Sequence, residues 1–336
     1  MMAEQHAAGR LMAAELAESG FVFKRAAMQD HSEAVARVGL AQASAFYTIA
    51  RGSSDAAANI ISYEFMRELG IPVTSLPPSV FSVGSGVRME GKAGLVISQS
   101  GASEDLVRAT KGIHQAGGQV VAITNVEGSD VEAAADVTFR IGAGPELAVP
   151  ATKTVIGSIA AGLALLAALK PSYKVALEAS VTAFDAIENL PPEVHARLRA
   201  ALLRAQHVYV VGRDTGFGAA HEVALKIKET CAIHAEAYSA SEVLHGPLQL
   251  ATNPLTVLVL DTGAPGTAES IDNAVARFGA TGAHVVRLTP TADGLTPAAA
   301  AAALLRHIYP VILDVALALG LDPDAPTTLA KVTMTR

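Results

Sequence analysis

The stretch that decides the fold is GLVISQSGASE, residues 94–104. Its apolar run, residues 95–97, predicts a buried parallel strand, and the helical period of residues 105–113 predicts a helix directly after the polar loop. Free amides and the helix dipole would face such a loop, so the pattern is typical of an anion pocket. A simpler interpretation, in which Ser98 and Ser103 only cap the helix, suits these residues equally well.

The chemistry of this loop limits the ligand that it would bind. The loop contains no lysine and no Gly-x-x-x-x-Gly-Lys pattern, which argues against a nucleoside triphosphate. A monophosphate carried by a small molecule fits better. The net charge of −7 also argues against a nucleic-acid partner.

The composition indicates an α/β protein with material for two domains. The chain has 336 residues, of which 51% are hydrophobic. Cys231 is the single cysteine, so no intramolecular disulfide can form, and the start lacks a signal-peptide pattern; we therefore expect a cytoplasmic protein. Residues 155–169 are too short to span a membrane, and charged residues interrupt residues 298–321, so both are interpreted as helices buried against sheets, with no membrane contact.

Short strands alternate with helices from residue 46 onward, which predicts parallel sheets covered by helices on both faces. The pattern starts again at residue 207, and matching Gly and Arg residues recur about 162 positions later, Gly101 with Gly263 and Arg51 with Arg213. The predicted fold is α/β, with two tandem doubly wound three-layer αβα domains, parallel sheets and a C-terminal tail. The expected segments are N-terminal helices (1–40), a phosphate-binding domain (41–170), a helical connection (171–200), a second domain (201–320) and a tail over the site (321–336).

The two copies differ at the loop that follows the third strand. In the second copy this loop reads DTGAPG, residues 261–266. It has lost the Ser-Gln-Ser run and gained Asp261, whose charge would repel a phosphate. We therefore predict that the first copy binds the anion and that the second copy contributes something else.

The second copy offers titratable residues on one helix face. Glu222, Lys226 and Glu229 are spaced four and three residues apart, so they share that face. We interpret Glu222 and Lys226 as an ordinary surface ion pair. Residues 234–247 are expected to form a loop, and its density of titratable groups makes it a candidate for acid–base chemistry.

A metal site is the competing interpretation for part of that loop. His234, Glu236 and His245 are two and nine residues apart, which matches no short zinc pattern, so we expect no metal. In the tail, Lys331 is interpreted by default as a solvated lysine. A lysine partly desolvated in a pocket would instead be able to form a Schiff base with a sugar carbonyl.

Seven short motifs follow one another along the chain, and their order and spacing carry more information than any one alone. They resemble the motifs of the sugar isomerase (SIS) domain family over nearly the whole chain. More narrowly, they resemble the two-domain isomerase half of glucosamine-6-phosphate synthase and its stand-alone relatives. The motifs are Gly52-Ser53-Ser54, Ser98-Gln99-Ser100-Gly101 with Ser103, residues 146–153, residues 224–229, residues 234–238, residues 242–247 and Leu329-Ala330-Lys331.

The resemblance implies a role for each group of residues. Glu229 would move a proton between carbons 1 and 2 of a sugar, and Lys331 would lie at the open-chain carbonyl. His245, supplied by the neighbouring subunit of a homodimer, would assist ring opening. The resemblance implies no metal and no nucleotide cofactor. The sugar 6-phosphate would contact Ser53, Ser54, Ser98, Gln99, Ser100, Ser103, Val149 and Ala330.

The sequence departs from the synthase in two ways. Nothing before Phe46 is expected to form a glutaminase half, and no N-terminal cysteine nucleophile is present. Ala151 and Thr327 stand where the synthase has a serine and an arginine. An isomerase core without a source of ammonia suits the reverse reaction, so the predicted function is a glucosamine-6-phosphate deaminase, which forms fructose 6-phosphate and ammonia.

Three alternatives stay open at this point. The same chemistry would serve a galactosamine-6-phosphate deaminase or a fructosamine-6-phosphate deglycase, and a simple phosphosugar isomerase is the next alternative. The third is a non-catalytic sugar-phosphate sensor. A sensor that regulates transcription is disfavoured because the residues before the first strand carry no basic face. The presence of both Glu229 and His245 also favours an enzyme.

Overall fold

The computed structural model describes residues 7–331 of the 336-residue chain. Helices occupy the segment expected to hold them, residues 1–40, of which residues 1–6 lie outside the described part of the chain. The last of these helices is short and is followed by a 3-10 turn at Leu40–Gln42. Three α-helices therefore precede the first strand: α1 (Arg10–Ala17), α2 (Ser19–Ala27) and α3 (Ser32–Arg37).

The first domain is built on a five-stranded sheet with the strand order β2-β1-β3-β4-β5. All four neighbouring pairs are parallel. Every residue of β3 is buried, which explains why its sequence is a continuous apolar run and does not alternate. The strands are β1 (Phe46–Ile49), β2 (Val73–Ser75), β3 (Ala93–Ser98), β4 (Gln119–Thr124) and β5 (Val137–Arg140).

Helices cover both faces of this sheet and make three layers. One apolar cluster packs α4 and α8 against the sheet, and a separate cluster packs α6 against its other face. Helix α8 is buried from Lys153 to Leu166, which confirms that residues 155–169 form a core helix. The helices of this domain are α4 (Gly52–Leu69), α5 (Ser79–Ser82), α6 (Glu104–Gln115), α7 (Asp130–Ala133) and α8 (Lys153–Leu169).

The second domain repeats the first on a smaller sheet with the order β7-β6-β8-β9, again entirely parallel. Helix α9 (Lys174–Asp185) and helix α10 (Pro192–Arg204) lead into it. Its elements are β6 (His207–Gly212), α11 (Thr215–Cys231), β7 (His234–Ser239), β8 (Thr256–Leu260), α12 (Ala268–Ala280), β9 (His284–Leu288) and α13 (Pro297–Ala318).

One expectation for the second domain is wrong. Residues 234–239 were expected to be loop, but they form the edge strand β7. The polar residues of this strand, His234, Glu236 and Tyr238, alternate with two alanines, and Ala235 is fully buried. Polar side chains on one face are compatible with an edge strand, which explains why the segment resembles a loop in composition. The loop begins only after Ser239.

The structure confirms the duplication. Strands β1 to β4 and β6 to β9 occupy equivalent places in the two sheets, while β5 has no counterpart among the described residues. Gly101 and Gly263 share a left-handed backbone, with φ of 63° and 67°. Gly52 and Asp214, also 162 positions apart, have φ of 52° and 57°. The repeat therefore extends to the backbone of both loops.

The two domains meet where α4 packs against α11. At Gly218 a β-carbon would lie 2.7 Å from the amide nitrogen of Ile60, so the two helices approach closely only because this residue is glycine. Helix α4 begins at the first domain's polar loop. Its contact with α11 therefore brings the titratable face of α11 to that loop.

Helix α13 is the one helix of residues 7–331 that is long and apolar enough to cross a membrane. Its apolar window is 78% buried inside the protein, against α11, α10 and α8. The expectation that residues 298–321 contain a helix buried in the core is confirmed.

Candidate active site

A cavity of about 360 Å³ opens at the carboxyl ends of β1 and β3. Strand β1 pairs with β2 on one side and β3 on the other, so the chain winds in opposite directions from this point. Ligands of open α/β sheets bind at such a switch point. Both polar loops of the first domain, residues 51–54 and 98–103, line the cavity.

The backbone of the second loop is held in place by its own serines. Ser98 Oγ accepts a hydrogen bond from the Gly101 amide at 3.1 Å, and Ser100 Oγ accepts one from the Ala102 amide at 3.3 Å. A β-carbon at position 101 would lie 2.1 Å from Ser129 Oγ, so glycine is required there. Ser103 directly precedes α6 and lines the cavity, and its side chain makes no capping bond to that helix.

An arginine that we had used only to align the repeats also lines the cavity. Arg51 donates to Asp105 Oδ2 from Nη2 at 2.8 Å and from Nε at 3.2 Å. Asp105 is buried in the first turn of α6, where its negative charge would oppose an anion at the same helix end. The guanidinium of Arg51 balances that charge. The position of Arg51 directly before the Gly-Ser-Ser motif is the sequence signal that marks it.

The second domain contributes Lys226 and Glu229 of α11 to the cavity wall. The interpretation of Glu222 and Lys226 as a surface ion pair is wrong, because their side chains are 0% and 1% exposed. Helix α4 covers the face of α11 that the helical period alone would leave in solvent. Lys226 Nζ contacts Glu229 Oε2 and lies 3.7 Å from Glu222 Oε1.

Burial affects the charge states of Glu222 and Lys226. Desolvation raises the pKa of Glu222 to about 7, although the Lys226 ammonium opposes the shift. The Tyr309 hydroxyl donates to Glu222 Oε1 at 3.1 Å. Desolvation acts to lower the pKa of Lys226, but the carboxylates of Glu222 and Glu229 outweigh it and raise the pKa. Lys226 is therefore a buried cation that contacts the partly exposed carboxylate of Glu229.

The C-terminal tail also lines the cavity, through Leu329, Ala330 and Lys331. Lys331 Nζ donates to the Ala148 carbonyl at 2.6 Å and lies 3.3 Å from Glu146 Oε2. Val149 and Ala330 line the cavity beside it. The default interpretation of Lys331 as a solvated tail lysine is wrong, because only 25% of its side chain is exposed and its ammonium is paired. The pairing with Glu146 spans 185 residues, a distance across which no local pattern could reveal it.

Glu146 is itself an organising residue. Its carboxylate accepts hydrogen bonds from the amides of Thr152 and Thr154 at 3.0 and 3.1 Å, and from the Thr154 hydroxyl at 2.6 Å. It thus caps the N-terminus of α8 and pairs with Lys331 at once. Ala151, one of the two departures from the synthase, lies on the cavity wall close by.

His245 does not join this cavity within one chain. It ends the 3-10 helix Glu242–His245 and is exposed to solvent. The residues that line the cavity do not include it. That His245 reaches the cavity of a neighbouring subunit stays a prediction. Within residues 7–331, no group of three or more His, Cys, Asp or Glu side chains is placed to hold a metal ion.

Comparison with known proteins agrees with this architecture. The SIS domain family matches residues 39–168 and 201–308. The isomerizing glutamine–fructose-6-phosphate aminotransferase of Aeropyrum pernix is 33% identical over 291 residues, which cover 78% of this chain and 46% of that protein. The chain thus spans about half the length of the curated relatives it matches.

Solved structures share both domains. A protein from Silicibacter pomeroyi DSS-3, a phosphosugar isomerase by assignment, is 32% identical, with a TM-score of 0.81 over 94% of this chain and 99% of that chain. Glucosamine-6-phosphate deaminase from Thermotoga maritima shares the fold at 20% identity, with a TM-score of 0.73 over 97% of this chain and 100% of that chain. The chain belongs to the SIS domain family, with two SIS domains in tandem.

Proposed function

We propose that the protein is a glucosamine-6-phosphate deaminase, which converts glucosamine 6-phosphate and water to fructose 6-phosphate and ammonia. The observation that carries the proposal is that one cavity joins a phosphate loop from the first domain to the Lys226–Glu229 pair of the second. The polar loop would anchor a phosphate, and the Glu229 carboxylate would face the reacting carbons. This arrangement suits a phosphosugar whose reacting carbons lie far from its phosphate.

The phosphate would bind at the carboxyl ends of β1 and β3. Hydroxyls from both loops and the N-terminal amides of α6 would supply hydrogen-bond donors, and Arg51 would offset the charge of Asp105 at the same helix end. Binding energy at this remote group would hold carbons 1 and 2 against α11. The side chains in this role are those of Ser53, Ser54, Ser98, Gln99, Ser100 and Ser103.

Glu229 would transfer the proton. In the open-chain aldehyde, the C2–H bond breaks and its proton passes to Glu229, which returns it to carbon 1. The carbonyl oxygen on carbon 1 gains one proton and the amine nitrogen loses one, so carbon 1 becomes an alcohol and the C2 amine becomes an imine. Water then adds to carbon 2 and the C2–N bond breaks, which gives the ketone and ammonia. The Lys226 ammonium, which contacts Glu229, would stabilise the negative charge that develops on the intermediate.

Two further residues complete the proposal. Lys331 lies at the cavity wall, where it would contact the open-chain carbonyl once released from Glu146. His245 would open the sugar ring from the neighbouring subunit of a homodimer, since its own cavity does not include it. A monomeric form would then be inactive.

The proposed direction is the release of ammonia, because the cavity of the two described SIS domains would exchange free ammonia with the sugar. The shared fold of the Thermotoga maritima deaminase is compatible with this. The same cavity would serve another amino-sugar 6-phosphate, a fructosamine 6-phosphate or a simple isomerisation, and a sensor would need only the phosphate loop.

The deciding experiment is ammonia release from a panel of amino-sugar 6-phosphates, with fructose 6-phosphate followed by a coupled assay. We expect both products from glucosamine 6-phosphate. Glu229→Gln should lower turnover about 100- to 10,000-fold, the usual loss of a general base. Ammonia from a different sugar would keep the mechanism and change the substrate. Tight sugar-phosphate binding without ammonia would contradict the proposal.

A further inference from the structure

A buried carboxylate outside the cavity contacts the segment that holds Lys331. Glu15 on α1 is 5% exposed, and its Oε1 accepts hydrogen bonds from the amides of Leu147 and Ala148, the latter at 3.2 Å. Glu15 does not line the cavity, and the chemistry proposed above does not use it. Its Oε2 is buried without a hydrogen-bond partner among the described residues.

A second carboxylate joins the same three segments of chain. Asp324 in the tail accepts the amides of Leu11 and Met12 through its side chain, at 2.8 Å each. The backbone carbonyl of Asp324 accepts the amide of Val149 at 3.1 Å. Helix α1 is therefore fixed to the tail, and both are fixed to the cavity wall.

The consequence is a segment whose three consecutive amides, residues 147–149, all donate away from the cavity. The Ala148 carbonyl in the middle of this segment accepts the hydrogen bond from Lys331 at 2.6 Å. The location of the Lys331 ammonium thus depends in part on the peptide group that joins Ala148 and Val149. The amide of this group is held by the Asp324 carbonyl, and Glu15 holds the amides of the two peptide groups before it.

We propose that Glu15 is a positioning residue, which fixes the 147–149 segment and through the Ala148 carbonyl holds Lys331 at the cavity. The proposal rests on the proposed function only in giving Lys331 a task there. Amides that donate to a carboxylate form stronger bonds than amides that donate to a neutral acceptor, so the charge of Glu15 matters.

The same geometry predicts a pH dependence. Desolvation raises the pKa of Glu15 above its ordinary value; the amides of Leu147 and Ala148 and the Lys331 ammonium oppose the shift, while Glu146 adds to it. Protonation weakens the two hydrogen bonds, so the hold on the segment is present above this raised pKa and is lost as the pH falls through it.

The test compares Glu15→Ala and Glu15→Gln with Glu64→Gln. Glu64 is a matched control, because it is also buried and also accepts a main-chain amide, that of Ala298, but lies ten residues beyond the cavity loop on α4. Hydrogen exchange of residues 143–152 and acylation of Lys331 by acetic anhydride report on position without any need for turnover.

We expect Glu15→Ala to speed exchange at residues 147 and 148 and acylation of Lys331 by about 10-fold or more. The kcat for ammonia release should fall about 10-fold, with KM changed less than about 2-fold, since the phosphate loop is untouched. The wild-type kcat should fall at acid pH as Glu15 is protonated, and Glu15→Gln should remove this fall. Glu64→Gln should leave exchange, acylation and the pH profile at wild-type values.

Unchanged exchange and acylation in Glu15→Ala would overturn the proposal, and so would equal changes in Glu64→Gln, which would indicate a general loss of stability. If the wild-type chain releases no ammonia from any substrate, the proposed function fails. Exchange and acylation would still decide whether Glu15 positions Lys331.

Discussion

The carboxyl-end loops of the two sheets have nearly the same backbone and opposite electrostatics. After β1 the chain runs Arg51-Gly52-Ser53, and after β6 it runs Arg213-Asp214-Thr215. Gly52 and Asp214 share a left-handed φ. The Asp214 carboxylate, however, accepts the Thr215 amide at 2.7 Å and pairs with Arg67 of the first domain. The end of α11 thus already has its anion, supplied by the protein.

The loops after β3 and β8 differ in the same sense. Gln99 of the first copy corresponds to Asp261 of the second, which accepts the Gly263 amide at 3.0 Å and pairs with Arg287 at 2.5 Å. In the second copy, the loop amide and the nearby cation are both held by the carboxylate of Asp261. In the first copy, the Gly101 and Ala102 amides bond to the loop's own serines, and Gln99 and the serine side chains line the cavity without a carboxylate among them. The difference supports the proposal that the first copy binds the anion, while the second supplies side chains of α11 to the cavity.

The largest difference between the two loops is expected from matched glycine substitutions. Gly101→Ala places a β-carbon 2.1 Å from Ser129 Oγ, whereas Gly263→Ala meets no atom within 4 Å at a similar φ. Gly101→Ala should weaken binding of fructose 6-phosphate about 100-fold, equivalent to one or two hydrogen bonds to a charged group. Gly263→Ala should leave binding unchanged and lower stability by about 1 kcal/mol. Calorimetry with fructose 6-phosphate and urea unfolding measure the two effects.

A smaller effect should follow from giving the first loop the acid of the second. Gln99→Asp should weaken phosphosugar binding about 10-fold through like-charge repulsion near a partly exposed anion. The reciprocal change, Asp261→Gln, should create no binding, because the Asp214 carboxylate still occupies the adjacent helix end. Tight binding of fructose 6-phosphate to a Gln99→Asp variant would mean that the loops differ for a reason other than charge.

The smallest predicted effect is on the free energy of unfolding, and it comes from Glu222, whose carboxylate is buried between the domains by α4 and α11. Because the pKa of Glu222 is raised to about 7, the folded state binds protons that the unfolded state has already released. Its contribution to stability is complete below the ordinary carboxyl pKa and is lost as the pH rises through about 7. Urea unfolding should show a decrease of about 1 kcal/mol from pH 6 to pH 7 that Glu222→Gln abolishes. An identical slope in the variant would assign that pH dependence to other groups.

The sequence predicts those parts of the site that depend on neighbours along the chain. Strand, polar loop and helix follow one another within residues 94–113, so both the unit and its anion pocket could be inferred locally. The burial of Glu222 and Lys226 could not, because it depends on α4, which lies more than 150 residues earlier. The contact of Lys331 with Glu146 and the role proposed for Glu15 depend on segments that only the tertiary fold brings together.

The bonds between α1 and the tail have a topological consequence. The amide of Gly9 lies 3.2 Å from Asp322 Oδ1, so positions near the two ends of the chain are adjacent in space. The described part of the chain, residues 7–331, is therefore close to a closed ring, with α1 and the tail next to each other beside the cavity. A circular permutant that joins residue 331 to residue 7 by a linker and opens the chain at residues 186–191, between α9 and α10, should keep every described element of the cavity in place.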